Sequence, residues 1–405
     1  MKKKNDEAKN LWLAVIAGGQ GTRLFPMSHE KCPKQFCDLD QDNKFIQATV
    51  RRFLAIGVNP KHVVVITTNP TQTMLANEQL TPLGVISPNI YEISPDYGYA
   101  GAMVKAAEFI SEHDEEAVII NTPSDQYIQI DDDFRDTMKL AVRTADAGCP
   151  TVVGVEVNDL VTFMGCGHAL YDPDEASFCK TVKGFVEKPG KKQAIEMMRA
   201  GNSACNTGIN VWRADDVLRA TASYDLDKEP LGTDELMAVI GELRLAIGTF
   251  KWYDCGTLKS LYQISKKTPN HKNATIGKGF VDRGTTCRGS LFYGIEGTNI
   301  WATNVKDAAV VVNEINGQIV VAIVALEESQ LVRELAENFN HNKKILMHDY
   351  SIRARNNLVT DTNCSDQILV GFVGVTGYIV TPLKRPDGEM DIIVSRSLEK
   401  VADLT

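Results

Sequence analysis

The chain has no surplus of positive charge: 43 Lys and Arg stand against 52 Asp and Glu, a formal net charge of −9 over 405 residues. A protein whose affinity comes from neutralising a nucleic-acid backbone needs a basic face, so that class is argued against, although a local basic pocket stays open. The chain also lacks any C-x-x-C pair. Its nine cysteines, Cys32, Cys37, Cys149, Cys166, Cys179, Cys205, Cys255, Cys287 and Cys364, are scattered without framework spacing, which offers no zinc ribbon or dithiol motif and fits a reducing compartment. No apolar run reaches membrane-spanning length. The opening Met1-Lys2-Lys3-Lys4 imitates a signal peptide, but Asp6, Glu7 and Lys9 precede a short apolar run that ends at Gly18. The expectation is a cytoplasmic protein that binds neither membrane nor nucleic acid.

What is present is a globular composition, 43% hydrophobic and 23% charged, on a chain long enough for two domains. Leu11 to Ala17 is continuously apolar and then breaks into glycines, as a strand buried on both faces does when it enters a ligand-binding loop. Val63 to Ile66, Ala117 to Ile120 and Thr151 to Val155 repeat that texture. Between the runs, Ala100 to Ser111 and Asp133 to Ala145 have helical periodicity. Strands alternating with helices predict a doubly wound, mostly parallel α/β sheet, with ligands at the carboxyl ends of its strands. Past about Lys267 the glycines crowd together (Gly277, Gly279, Gly284, Gly289, Gly294, Gly297), predicting short strands and turns, including a few coils of β-solenoid. The expected division is 11–267 for a catalytic domain and 268–405 for a smaller β-rich domain. In the latter, Ala309 to Val321 and Tyr378 to Val394 each read as a hairpin, followed by helices at Glu327 to Leu335 and Ser397 to Leu404.

The stretch Ala17-Gly18-Gly19-Gln20-Gly21-Thr22-Arg23-Leu24, with Pro26 and then Pro33-Lys34-Gln35-Phe36, carries the first chemistry. Glycines let backbone N–H groups approach a phosphate chain, and Arg23 and Lys34 add cationic donors suited to its oxygens. The pattern is neither G-x-x-x-x-G-K-[ST] nor G-x-G-x-x-G, so a P-loop NTPase or a Rossmann dehydrogenase would need a different loop.

These residues resemble the nucleotide-binding stretch of the sugar-1-phosphate nucleotidyltransferases, closest to the mannose-1-phosphate guanylyltransferase family, with its G-G-x-G-T-R-L-x-P-x-S and P-K-Q-F. Four further elements follow in the family's order: Pro123-Ser124-Asp125, Phe185-Val186-Glu187-Lys188-Pro189, Asn206-Thr207-Gly208 and Trp252-Tyr253-Asp254-Cys255-Gly256. The resemblance implies a nucleotide site at Ala17, Gly18, Gly19, Gly21, Thr22, Arg23, Pro123 and Ser124. It implies Mg²⁺ on Asp125 and Asp254, sugar phosphate on Gly167, Glu187, Lys188 and Asn206, and catalytic cations at Arg23, Lys34 and Lys188. Asp254 could instead cap the helix beginning near Thr257. The implied reaction condenses an NTP, GTP favoured, with a sugar 1-phosphate, mannose 1-phosphate or a related hexose, in a protein expected to be a homo-oligomer such as a dimer.

Three places depart from the family. Gln126 stands where a histidine is usual, Ser94 to Ala102 replaces an R-N-T-A-P-A-like run near the base, and Gly165-Cys166-Gly167-His168 replaces G-Y-G-Y beside the sugar. Another base, another sugar, or a non-catalytic sugar-nucleotide-binding regulator therefore stay open as readings. From Ala309 onward the histidines are His341 and His348, read as surface or turn residues, so the metal-dependent isomerase domain of bifunctional members is not expected.

Overall fold

The computed structural model describes residues 10–19, 21–40, 43–282, 284, 286–341, 368–375 and 378–396. They divide into two compact units, residues 1–19 with 45–254, and residues 20–44 with 255–405.

The first unit is built on a nine-stranded sheet in which β1 (Leu11–Ile16), third in the strand order, is buried along its whole length. Taking a Val, Leu or Ile side chain out of water is worth about 1.5–3 kcal/mol, which is why the apolar runs seek this position. β1 lies parallel between β2 (Val63–Thr67) and β4 (Val118–Pro123), with Leu13 opposite Val63 and Ile16 opposite Pro123. β3 (Ile90–Glu92) extends the parallel set beyond β2. A two-stranded ribbon of β5 (Tyr127–Ile128) and β11 (Trp252–Tyr253) stands outside the main sheet.

The other half of the sheet is mixed. β6 (Thr151–Val155) and β10 (Arg244–Gly248) are parallel, whereas β9 (Ser203–Arg213) runs antiparallel between β4 and β6, and β7 (His168–Tyr171) and β8 (Cys179–Val186) are antiparallel to each other. The apolar runs show the parallel core. β8 is only partly buried along its length, so it leaves no continuous apolar run to read.

Helices cover both faces: α1 (Phe45–Leu54), α2 (Pro70–Leu80), α3 (Gly98–Ser111) and α4 (Asp132–Asp146) among them. Ala106, Ala107 and Ile110 of α3 share one core with Trp12, Ala14 and Ile16, while α4 packs on β6, β9 and β10. Asp131 caps α4 by accepting the Phe134 N–H at 2.9 Å, and Asp132 and Asp133 occupy its first turn, where the helix dipole favours anions. α5 (Leu160–Gly165), α6 (Lys191–Ala200), α7 (Ala214–Thr221) and α8 (Thr233–Ile240) complete this unit.

The second unit is β-rich. β12 (Ala274–Gly277), β14 (Leu291–Gly294) and β16 (Ala308–Ile315) stack in parallel in one sheet, and β13 (Phe280–Asp282), β15 (Thr298–Thr303) and β20 (Met390–Arg396) do so in another. A coiling chain produces such stacks, and its corners explain the glycines: a Cβ at Gly279 would meet the Gly294 backbone at 2.8 Å. β16 turns into β17 (Gln318–Ala325) through Asn316 and Gly317, both left-handed as a two-residue hairpin turn requires. β18 (Ile368–Val373) pairs in parallel with β17, and β19 (Tyr378–Lys384) forms the other hairpin, with β20. α9 (Leu258–Ile264) precedes the coil and α10 (Val332–His341) follows the first hairpin. The helix expected at Ser397 to Leu404, the side chain of His341, and His348 lie outside the described residues. No described helix is long and apolar enough to cross a membrane.

Candidate active site

The parallel register of β1 and β4 sets the first part of the site. Because Ile16 faces Pro123, the chain leaves β1 as Ala17, Gly18 and Gly19 beside the Pro123-Ser124-Asp125 exit from β4. Ala17 N–H donates to the Ile66 carbonyl at 2.8 Å, and Gln72 Nε2 of α2 donates to the Gly19 carbonyl at 3.3 Å. A Cβ on Gly18 would press on Thr68 Cγ2 at 3.0 Å, so the run stays close to its support. Pro123, Ser124 and the glycines therefore share the carboxyl edge of the parallel core, where α/β sheets bind ligands.

The β5–β11 ribbon brings the two expected metal ligands toward one another. Tyr127 is opposite Tyr253 at the end of the ladder, so Asp254 leaves β11 at the same end where Gln126, the neighbour of Asp125, enters β5. Asp125 precedes β5 and Asp254 follows β11, and carboxylate oxygens are the hard donors that Mg²⁺ takes. The alternative use of Asp254 as a helix cap is not what is found. Thr257 caps α9, its hydroxyl accepting the Ser260 N–H at 3.2 Å.

Gln126 is the residue that joins these segments. It is buried, its Nε2 donates to the Thr207 carbonyl at 2.7 Å, and its Oε1 accepts the Trp252 Nε1–H at 3.1 Å. Its own carbonyl accepts from Arg52 Nη2 of α1 at 3.1 Å. One amide thus ties the Pro-Ser-Asp, Asn-Thr-Gly and Trp-Tyr-Asp segments together, using both its donor and its acceptor.

The residues expected on the sugar side, Gly167, Glu187 and Asn206, line a cavity of about 540 Å³ together with Tyr99, His168 and Asp234 among others. Asn206 sits in β9 at an irregularity in the pairing with β6, where Thr207 Oγ1 donates to the Val153 carbonyl at 2.7 Å and accepts the Ile209 N–H at 3.2 Å. Such bulges re-aim side chains beside active sites. Asn206 N–H donates to the Gly167 carbonyl at 2.8 Å, and Lys188 N–H donates to the Cys166 carbonyl at 3.3 Å. Gly167 leaves room for Glu187, since a Cβ there would stand 2.5 Å from Glu187 Oε2. Lys188 has a left-handed backbone (φ 43°) and an exposed ion pair with Glu187 at 2.9 Å. That pair is worth little to stability and leaves both charges available to a ligand.

Tyr99, from the segment that departs at 94–102, donates its hydroxyl to the Gly208 carbonyl at 3.3 Å. Burial, and secondarily the charge of Asp125, pushes this phenol well up, so it stays a donor. His168 is buried and donates its Nε2–H to the Phe163 carbonyl at 2.7 Å. Burial pulls its pKa down, against smaller upward pulls from that carbonyl and from Glu187, and the ring is held neutral.

Sequence reading missed Cys166 and Cys205, which are joined in a disulfide beside the cavity. Cysteine spacing carries no sign of it: the partners are 39 residues apart and meet through the β7–β9 ladder, in which His168 faces Cys205. Asp234 and Thr233, at the start of α8, also line the cavity without any motif to announce them.

Gly21, Thr22, Arg23 and Lys34 belong to the second unit. Thr22 and Arg23 lie in a short 3-10 turn (Thr22–Leu24), and Lys34 opens another (Lys34–Phe36). Gly21 is left-handed (φ 60°), and a Cβ there would collide with the Lys34 side chain. Ser28 Oγ donates to the Gly21 carbonyl, and Asn313 Nδ2 donates to the Pro26 carbonyl at 2.7 Å. Arg23 is exposed and Lys34 buried.

The nucleotidyl transferase family profile matches residues 13–271, well over half of the chain. The chain belongs to the nucleotidyl transferase family. The activity class that membership carries is sugar-1-phosphate nucleotidyl transfer. Among curated relatives, a mannose-1-phosphate guanylyltransferase of Klebsiella pneumoniae is 26% identical over 82% of this chain and 74% of its own. The alginate biosynthesis protein AlgA of Pseudomonas syringae pv. tomato is 26% identical over 78% and 71%. Among solved structures, a Thermus thermophilus protein described as a mannose-1-phosphate geranyltransferase matches 82% of this chain and 99% of its own, with a TM-score of 0.66 and 22% identity. That likeness bears on the fold.

Proposed function

We propose that the chain joins a nucleoside triphosphate, GTP in preference, to a hexose 1-phosphate of the mannose type, releasing pyrophosphate. The observation that carries this reading is the pair of strand registers in the first unit. One brings the glycine run out beside the strand exit that leads to Asp125, the other brings Asp254 out at the ribbon end where Gln126 enters, and Gln126 bonds to the Asn-Thr-Gly segment. The base and the sugar are supported by the relatives' names and by the motifs, at 26% identity.

A phosphate monoester has its second pKa near about 6, so the sugar phosphate is largely ionised at neutral pH and its oxygen can attack the α-phosphorus without a general base. Two polyanions must then be aligned and their charge balanced. Asp125 and Asp254 would hold Mg²⁺, which when bound supplies positive charge at the phosphates. In this reading Lys188 and Glu187 meet the sugar phosphate and sugar hydroxyls, and Asn206 fixes the sugar.

The test is a matrix of nucleoside triphosphates against hexose 1-phosphates, with Mg²⁺, read by pyrophosphate release. GTP with mannose 1-phosphate is expected to give the highest kcat/KM. A higher value with another pair reassigns the substrates, and no pyrophosphate with any pair overturns the catalytic reading.

A further inference from the structure

The transfer reaction gives no role to the sulfurs of Cys166 and Cys205, yet their disulfide stands at the junction of the sugar-side wall. The two Cα atoms are 6.2 Å apart, within the span a disulfide bridges. Each half is one residue from a group assigned to the sugar phosphate: Cys166 precedes Gly167 and Cys205 precedes Asn206. The backbone repeats the connection. Asn206 N–H donates to the Gly167 carbonyl at 2.8 Å, and the Cys166 carbonyl receives the N–H of Lys188 at 3.3 Å. Glu187 completes the set by lying against Gly167. Three chain segments that must converge on one phosphate and one sugar are thus tied at this crosslink.

We propose that Cys166 and Cys205 are a reversible thiol–disulfide site, oxidised by a small-molecule disulfide such as glutathione disulfide, that sets how tightly the sugar 1-phosphate is held. The proposal rests on the reading of this wall as the sugar-phosphate site. Cys166 is the entry point. It is 7% exposed against 1% for Cys205, and it lies between Gly165, which is exposed, and Gly167, which lines the cavity.

In the reduced chain the Cys166 thiolate attacks one sulfur of the disulfide RSSR, forming a mixed disulfide and expelling RS⁻. The Cys205 thiolate then attacks the Cys166 sulfur and expels the second RS⁻. The two thiol protons pass to the two leaving thiolates. The protein loses two electrons and two protons, and RSSR becomes two RSH.

Oxidised, the wall is pre-organised around the ligand. Reduced, residues 165–167 regain the freedom that two glycines allow, and the Gly167–Asn206 contact depends on one backbone hydrogen bond. The expected effect is on sugar-phosphate KM, with the triphosphate KM unmoved.

The full chain would be equilibrated in glutathione buffers of graded ratio, in both directions, and the Cys166–Cys205 peptide quantified by mass spectrometry after alkylation. On the same samples, pyrophosphate release gives both KM values. The crosslinked fraction is expected to follow the buffer reversibly, with sugar-phosphate KM rising about tenfold on reduction. Cys166→Ser should hold the reduced-state KM in every buffer, and Cys205→Ala serves if that variant does not fold.

A KM that ignores the redox state of an active enzyme overturns the proposal, as does a crosslink that never reduces in the folded chain. The donor atoms of Cys166, His168 and Cys205 lie within 4.8 Å of one another, so Co²⁺ is added to the reduced chain as a control. A thiolate charge-transfer band would reassign the cluster to a soft metal and overturn the redox site. Absence of turnover with every substrate pair and in every buffer would strike the catalytic reading instead. Calorimetric binding of hexose 1-phosphates across the buffers then decides the redox site: affinity that weakens on reduction supports it, and affinity that does not change overturns it.

Discussion

The carboxylate-bearing ribbon and the sugar-side wall belong to the same unit but are positioned by different means. Asp125 and Asp254 are set by strand register, reinforced by one buried amide that satisfies a carbonyl on one side and an indole on the other. The sugar-side residues sit on a bulged strand, a glycine-flanked loop and a left-handed lysine, joined by single backbone hydrogen bonds and a disulfide. The ribbon's register is only two residue pairs long, and the buried Gln126 amide is what backs it. At the cavity edge the wall is held by single contacts between laddered strands, so one substitution there can reshape it.

The contrast breaks most visibly at Asp125. Asp125→Asn keeps size and hydrogen-bonding capacity but removes a charge from the proposed Mg²⁺ site. Turnover is expected to fall by roughly 100- to 1,000-fold or more, while the melting temperature stays near that of the parent. Steady-state pyrophosphate release at saturating Mg²⁺, beside a thermal melt, measures both. Near-parental turnover would remove Asp125 from the site.

The second break is structural. Gln126→Leu leaves the Thr207 carbonyl and the Trp252 indole N–H buried without their partner, and each such group costs about 1–3 kcal/mol. A clear loss of stability in chemical denaturation is expected, together with lower kcat. If the variant were as stable as the parent, the amide would not be what ties the three segments. Gln126→His, which restores the residue usual in the family, should recover part of both.

These two tests also mark how far the sequence could be read. The glycine run, Pro-Ser-Asp, Asn-Thr-Gly and Trp-Tyr-Asp are local patterns, and the buried runs behind them read directly as β1, β2, β4 and β6. Gln126 was visible only as a departure. Its role depends on Thr207 and Trp252, 81 and 126 residues away, and no local pattern encodes such partners. The same applies to Cys166 and Cys205, brought together by the β7–β9 register, and to β9 itself, whose antiparallel course between β4 and β6 follows from pairing and not from composition.

On the sugar side, Gly167→Ala places a methyl where Glu187 Oε2 lies 2.5 Å away. Glu187 is exposed and can swing aside, so the fold should tolerate the change. The expected result is a several-fold rise in sugar-phosphate KM with the triphosphate KM unchanged. Equal shifts in both would mean that Gly167 supports the whole cavity and does not address the sugar end specifically.

The smallest effect is expected from His168, and its sign follows from linkage. Burial holds the folded-state pKa below the ordinary histidine value, so as pH falls through about 6.5 the unfolded chain takes up a proton that the folded chain refuses. Stability is therefore lost across the window from about 6.5 down to the folded-state pKa, and is unaffected by this group above it. His29 acts in the same direction, through its burial and then the charge of Lys31, so replacing His168 should flatten the acid limb only in part. His168→Asn should lower the melting temperature at neutral pH by losing the ring's packing on Phe163, yet lose less than the parent between pH 7 and pH 5. A melting-temperature slope as steep as the parent's would mean that His168 takes up its proton equally in the folded and unfolded chains, so that burial does not hold the ring neutral.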